Sequence, residues 1–356
     1  MRILFAFAGG QGHLDPLLPL ARAALAAGHE VAIAGRAELL PAIREQGFEA
    51  LQSPGDQPDP AKRMPLKAYD RADEMRALRE WYAGTLATAR AGALIGLARE
   101  WRAERIVHDE ADHGAAVAAE RLGLPAARVL VVAAADFAAE EVLAEPLAAL
   151  RAAHGLAAPA AVRELVLSPF PRSLRDEPGA FAFRGGSPPP ADGDAVYLTL
   201  GTVFNAESGD LLARALAGLR ELGAPLVVTT GRQIDPAELG RQPSHVRVQR
   251  WIPQSELLPW CCAVVSQGGS GIALGALAHG LPSVFLPVGA DQPYTAAGVA
   301  GLGAGIVLDP LTAGPEDIAA AARRVLEEPA FAAAAGRIRA EWLALPDAAE
   351  AIAQLA

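Results

Sequence analysis

Residues 263–271 constrain the fold more than any other stretch of this chain. The apolar run Ala263-Val264-Val265-Ser266 stops abruptly in Gln267-Gly268-Gly269-Ser270-Gly271. Apolar positions at helical spacing follow, closed by His279-Gly280-Leu281-Pro282, and then a second buried run, Ser283-Val284-Phe285-Leu286-Pro287. Strand, glycine turn, helix and strand make one half of a parallel α/β unit. Glycines at such a turn let the backbone approach a ligand closely, and the N–H groups and dipole of the helix that follows favour a phosphate there. Asp291 and Gln292 fall just past the next strand, on the same carboxyl edge of the sheet, where open α/β folds bind ligands. A phosphate-holding turn beside a carboxylate and an amide suits a sugar attached to a diphosphate.

Three other readings of the turn compete. It is compatible with an ordinary strand-to-helix connection. The nucleophile elbow of hydrolases needs glycine two places after the serine, where Ile272 stands, and a Walker loop needs a lysine that is not there.

The amino end repeats the pattern. Ile3 to Ala8 reads as a buried strand ended by Gly9-Gly10-Gln11-Gly12, and His13 follows. Asp15-Pro16 is a suitable N-cap and first-turn pair for a helix running to about Ala27, and Glu30 to Ala34 is the next strand. A dinucleotide fingerprint would need glycine where Asp15 stands and an acid after the second strand, although Arg36 offers an NADP-like contact. A lone histidine before a helix is more often a loop hydrogen-bonder than a catalyst. Farther on, His108-Asp109-Glu110-Ala111-Asp112-His113 invites a metal reading, but its histidines are five apart and match no zinc signature. No metal is expected.

The chain has 356 residues, enough for two domains with large cores. Its net charge of −10 argues against nucleic acid, whose binding rests on basic surfaces. Cys261 and Cys262 are adjacent and the only cysteines, which suits a reducing compartment. The run Ile3 to Ala8 is too short for a signal peptide or a membrane span. A soluble cytoplasmic enzyme, monomeric or homodimeric, is the expectation.

The blocks Trp251-Ile252-Pro253-Gln254, Gly268-Gly269-Ser270-Gly271, Gly280-Leu281-Pro282, Pro287 and Gly289-Ala290-Asp291-Gln292 occur in register over about 60 residues. Together they resemble the nucleotide-sugar half of the family-1, GT-B-fold glycosyltransferases, especially bacterial enzymes that decorate antibiotics and related natural products. Gly12-His13-Leu14-Asp15-Pro16 resembles that family's amino-terminal motif. The resemblance implies two Rossmann-like α/β domains facing across a cleft. Residues 1–190 would bind the acceptor and 191–346 the nucleotide sugar, with 347–356 a helix returning to the first domain. It implies His13 as catalytic base and Asp109 as its partner, with Glu110 and Asp112 close enough in sequence to leave that assignment open. Donor binding would fall to Thr202, Trp251, Gln254, Gln267, Gly268, Gly269, Ser270, Gly271, Asp291 and Gln292, and acceptor binding to Gly12, Trp81 and Phe137. From the residues alone, Trp81 reads slightly better as core. The implied reaction is inverting transfer of a sugar from a nucleoside diphosphate (dTDP or UDP, with a deoxysugar the family-level guess) to a small acceptor, with no cofactor and no membrane. The family usually has histidine where Gln267 stands, asparagine where Thr295 stands and threonine at Ile272. That substitution pattern keeps two rivals open, a sugar-nucleotide epimerase of the same fold and an impaired auxiliary binding protein.

The remaining segments carry weaker signals. Residues 53–70 hold prolines, charges and both lysines and read as a mobile surface loop. Residues 71–101 read as a long helical pattern interrupted at Gly84, Gly92 and Gly96, and 185–193 is the clearest linker by composition.

Overall fold

The computed structural model describes residues 1–55, 64–134, 137, 140–157, 164–201 and 204–355. Thirteen strands among them form two sheets, and every strand pairing is parallel. The first holds β1 (Arg2–Ala6), β2 (Glu30–Gly35), β3 (Glu49–Gln52), β4 (Arg105–Asp109), β5 (Ala126–Val129), β6 (Leu165–Ser168) and β7 (Phe181–Ala182) in the order 3-2-1-4-5-6-7. The second holds β8 (Ala195–Thr199), β9 (Leu226–Thr229), β10 (Val246–Gln249), β11 (Cys261–Ser266), β12 (Ser283–Phe285) and β13 (Gly305–Val307) in the order 10-9-8-11-12-13. The strands are apolar on both sides because helices cover both faces; Ile3, Leu4, Phe5 and Ala6 are all fully buried.

In chain order the helices are α1 (Gln11–Leu14), α2 (Leu18–Ala26), α3 (Leu40–Glu45), α4 (Arg71–Ala77), α5 (Ala87–Glu100), α6 (His113–Leu122), α7 (Glu140–Ala153), α8 (Leu211–Leu219), α9 (Gln254–Leu257), α10 (Ser270–His279), α11 (Gln292–Gly301), α12 (Pro315–Glu327), α13 (Pro329–Leu343) and α14 (Ala348–Ala353). Strand order reverses between β1 and β4 in one sheet and between β8 and β11 in the other. At such switch points the loops leaving the two strands diverge to opposite faces and open a crevice at the carboxyl edge. His13 follows β1, Asp109 ends β4, Gly201 follows β8 and Gln267 follows β11, so the topology alone brings these four to the two crevices.

Three expectations need correcting. The first helix does not start at Asp15: α1 begins directly after Gly10, and Asp15 is its C-cap. Pro16 has no N–H to continue the ladder, so the chain turns and restarts at Leu18. His13 therefore lies within a helical turn rather than ahead of one. The glycines at 84, 92 and 96 do not interrupt the 71–101 pattern. α4 and α5 are joined by a π-helical stretch, Leu78–Leu86, whose wider winding absorbs the extra residue. Lastly, the described part of the supposed surface loop, 64–70, is docked on the second half of the molecule. The N–H of Met64 donates to the Ala206 carbonyl at 2.6 Å, its own carbonyl accepts from Gly209 at 3.2 Å, and Leu66 packs against that half's core.

The last helices tie the halves together. Trp342 Nε1 on α13 donates to the Pro169 carbonyl at 2.9 Å, and the Arg184 N–H donates to Pro346 at 2.8 Å. α14 then leaves the second half and lies on α2, with Ala351, Ile352 and Leu355 buried in the first half's core. Among the described residues no helix is long and apolar enough to cross a membrane.

Candidate active site

His13 Nδ1 lies 3.0 Å from Asp109 Oδ2. The Asp109 carboxylate is fully buried and also accepts N–H bonds from Ala8 (2.9 Å) and Ala111 (2.7 Å), so its orientation is set by the backbone of two loops. Burial alone would raise its pKa. The opposing charge and hydrogen bond of His13, the Ala8 N–H and the buried Arg90 outweigh that and hold the carboxyl below the usual range. Asp109 is thus a fixed anion that holds the imidazole through Nδ1. Beneath the ring is Gly9, where a Cβ would collide with the imidazole.

The other acids of the 109–112 turn are engaged elsewhere. Glu110 accepts the N–H groups of Val131 (2.6 Å) and Val132 (2.7 Å) and pairs with Arg175 at 2.9 Å. Asp112 forms a fully buried bidentate pair with Arg90, at 2.8 and 2.5 Å, and caps α6 through the Ala115 N–H. His108 is buried with Nε2 on Glu164 at 2.6 Å. Geometry therefore separates the run that invited a metal reading, and among the described residues no cluster of three or more potential ligands occurs.

Across the crevice, Gly268 takes φ +85°, a left-handed conformation that only glycine adopts cheaply. This bends the chain off β11 into α10, whose first amides have no partners within the helix. Gln267 is 7% exposed, and among the described residues its Oε1 has no hydrogen-bond partner. Its NH2 lies between Gly201 and Gly269, and at either position a Cβ would run into it. Ser270 Oγ donates to Asp291 Oδ2 at 2.5 Å and accepts the Ala133 N–H at 2.6 Å. The second contact comes from the first half, so the turn is in the cleft that the two halves share. Asp291 is also held by Thr295 Oγ1 at 3.2 Å. Burial pushes its carboxyl up, and the Ser270 and Thr295 hydrogen bonds, with a smaller effect from His13, pull it back down.

The other anticipated residues are distributed unevenly. Trp251 presents an open ring face, 65% exposed. Gln254 heads α9 with its Oε1 towards α10 at Gly275. Gln292 is buried, and its oxygen is used up on the N–H groups of Val288 (2.8 Å) and Gly289 (3.2 Å), leaving only its NH2 to reach a ligand. Phe137 is buried against Tyr294 of the second half, ring centroids 6.1 Å apart. Trp81 is half-buried on the π-helical stretch and lines a recess with Asp73, Arg76 and Glu80. Gly12 is exposed, with open space where a side chain would be. Thr202 lies outside the described residues.

Sequence reasoning missed Gly9, Arg90, Glu74 and Tyr294. Arg90 did leave a trace: it is a charge inside the stripe Ala83, Ala87, Ala91, Leu94, where helical spacing calls for an apolar residue. Glu74 and Tyr294 left none, because both act across the cleft.

Two α/β halves with switch-point crevices that meet over a glycine turn and a His–Asp pair define the GT-B class. A family described as erythromycin biosynthesis protein CIII-like, C-terminal domain, matches residues 213–356. The elloramycin glycosyltransferase of Streptomyces olivaceus is 32% identical, with 100% of this chain and 97% of that protein covered. The structure of the glycosyltransferase SnogD from Streptomyces nogalater matches with a TM-score of 0.77 at 28% identity, covering 100% of this chain and 98% of that one. The spinosyn rhamnosyltransferase SpnG, solved with thymidine diphosphate, matches with a TM-score of 0.80 at 26% identity over 100% of both chains. The chain belongs to the GT-B glycosyltransferases of the bacterial antibiotic and natural-product type.

Proposed function

We propose that this chain transfers a deoxysugar from a nucleoside diphosphate, thymidine or uridine, to a small natural-product acceptor, with inversion and without a bound metal. The observation that carries the reading is the His13–Asp109 pair at 3.0 Å in the half whose Ala133 N–H bonds Ser270 in the glycine turn of the other. The acceptor hydroxyl gives its proton to Nε2 of His13 as its oxygen bonds to the anomeric carbon. The bond from that carbon to the diphosphate oxygen breaks, and the electron pair leaves with the diphosphate. Attack from the face opposite the leaving group inverts the centre. Asp109 holds the imidazole's tautomer and stabilises the imidazolium that forms.

The leaving charge is met by the amides and dipole of α10 and by the Gln267 NH2. Glutamine can donate a hydrogen bond there, but it cannot carry the positive charge of a histidine. Trp251 stacks on the base with Gln254 beside it. The sugar is held by Asp291 and the NH2 of Gln292, and the acceptor by Gly12, Trp81 and Phe137. Thymidine is favoured because SpnG was solved with thymidine diphosphate, and a natural-product acceptor because the relatives are named for elloramycin and tylactone.

The test is a thermal-shift panel of TDP, UDP and their sugars, followed by product analysis with polyketide aglycones. Stabilisation by TDP and a new glycoside with inverted anomeric configuration, formed equally well in EDTA, are expected. A donor changed in the absence of any acceptor, or no nucleotide stabilisation at all, would overturn the reading.

A further inference from the structure

α4 belongs to the first half, yet Glu74 on it reaches the donor side: Oε1 accepts the Ala290 N–H at 3.0 Å. Ala290 needs that hold. Its φ is +52°, a strained left-handed conformation for a residue with a Cβ, and it directly precedes Asp291. On its other side is Gly289, where a Cβ would collide with the Phe204 ring and touch Glu74. The segment leading into α4 is itself anchored on the second half by Met64 and Leu66, and by Tyr69 and Arg71 against Tyr294, at 6.4 and 5.7 Å. Asp70 caps α4 through the Ala72 N–H at 2.8 Å, which fixes where the helix starts. Burial disfavours the Glu74 carboxylate and the charges of Glu207, Asp291 and Asp73 add to that, while the Ala290 N–H favours it. Glu74 thus holds this turn from a half-buried position near like charges.

We infer that Glu74 is a positioning and specificity-determining residue contributed by the first half: it holds the Gly289–Asp291 turn so that Asp291 is set for the transferred sugar, and the sugar-bearing donor is told from the bare nucleotide only when the halves are joined. This rests on the donor reading above. It goes further in making sugar selection, but not diphosphate binding, depend on α4.

Glu74→Ala removes the acceptor, whereas Glu74→Gln keeps a carbonyl oxygen for the Ala290 N–H and drops the charge. Hydrogen–deuterium exchange on the full-length protein is read first, without ligand. Faster exchange at residues 288–292 is expected in E74A and not in E74Q, with 204–209 unchanged in both. Binding is then compared for TDP and a panel of TDP-sugars. TDP should bind within twofold of wild type in both variants. The preferred TDP-sugar should weaken about tenfold in E74A, the usual cost of one lost charge-assisted hydrogen bond, with recovery in E74Q. Unaltered exchange at 288–292 in E74A overturns the inference, as does an unaltered ratio of TDP-sugar to TDP affinity. Wild-type protein that binds no TDP overturns the donor reading instead, and the exchange result still judges Glu74.

Discussion

His13 owes its place to two neighbours of different kinds. Asp109 holds one ring nitrogen, and Gly9 leaves the space in which the ring lies. Replacing His13 by alanine should lower kcat by roughly 10²–10⁴, the range for losing a general base, with the TDP-induced melting shift unchanged. Asp109→Asn should cost a comparable amount, because the amide can donate to Nδ1 and favour the wrong tautomer. Gly9→Ala tests placement without touching either partner: turnover should fall while the affinity for TDP, measured by calorimetry, stays put. Arg90 acts through Asp109 rather than on the ring. Its buried pair with Asp112 pins the 109–112 turn and helps keep Asp109 ionised. At this scale His13 and Asp109 were legible, since each ends or follows an apolar run. Glu110 and Asp112 could not be told from Asp109 by spacing. The pairing of β4 with β1, Ala6 opposite His108, carries Asp109 to the loop that holds His13, and the 3.0 Å contact identifies it.

Among the elements, β4, β5 and β6 carry an ionic group that the mechanism does not use. Burial disfavours a charged His108, but the charge and hydrogen bond of Glu164 overcome this and push its pKa up to about 9, from an ordinary value of 6.5. A raised folded-state pKa means the protonated form is stabilised by folding. That contribution is complete below about 6.5 and is lost as pH rises through about 9. It amounts to roughly 3 kcal/mol at most, since each pH unit separating the folded and unfolded values corresponds to about 1.36 kcal/mol. Urea denaturation at pH 6 and pH 9.5 should show wild type losing stability over this window, and His108→Gln should flatten the dependence. Strands and helices themselves were readable wherever an apolar run ended in glycine, as at β1, β8 and β11. β3 and β13 were not, being short and only partly buried. The π-helical turn at Leu78–Leu86 left no signal either, because a winding defect costs one residue of phase and local composition does not report it.

For the whole molecule, closure depends on contacts that arrive from far along the chain. α14 and the residues just after it contribute Ile352 and Leu355 to the first half's core although they follow the second. Ile352→Ala should therefore destabilise by about 2–5 kcal/mol, as buried large-to-small changes do, and the loss should show as early melting of the first half by exchange. Nucleotide should partly offset it, by RT ln(1 + [L]/Kd), about 2.7 kcal/mol at a hundredfold excess over Kd. The amino-acid sequence by itself determined where the buried apolar strands stop, and therefore which residues stand at the carboxyl edges: His13, Asp109, Gln267, Asp291. Those are consequences of burial and backbone sterics within a few residues, and they can be read locally. What only the tertiary structure decided is which edges meet. The strap of residues 64–77, the grip of Glu74 on Ala290 and the return of α14 depend on surfaces hundreds of residues apart in sequence becoming neighbours. No local pattern records such a match, since its energy exists only once both surfaces are folded.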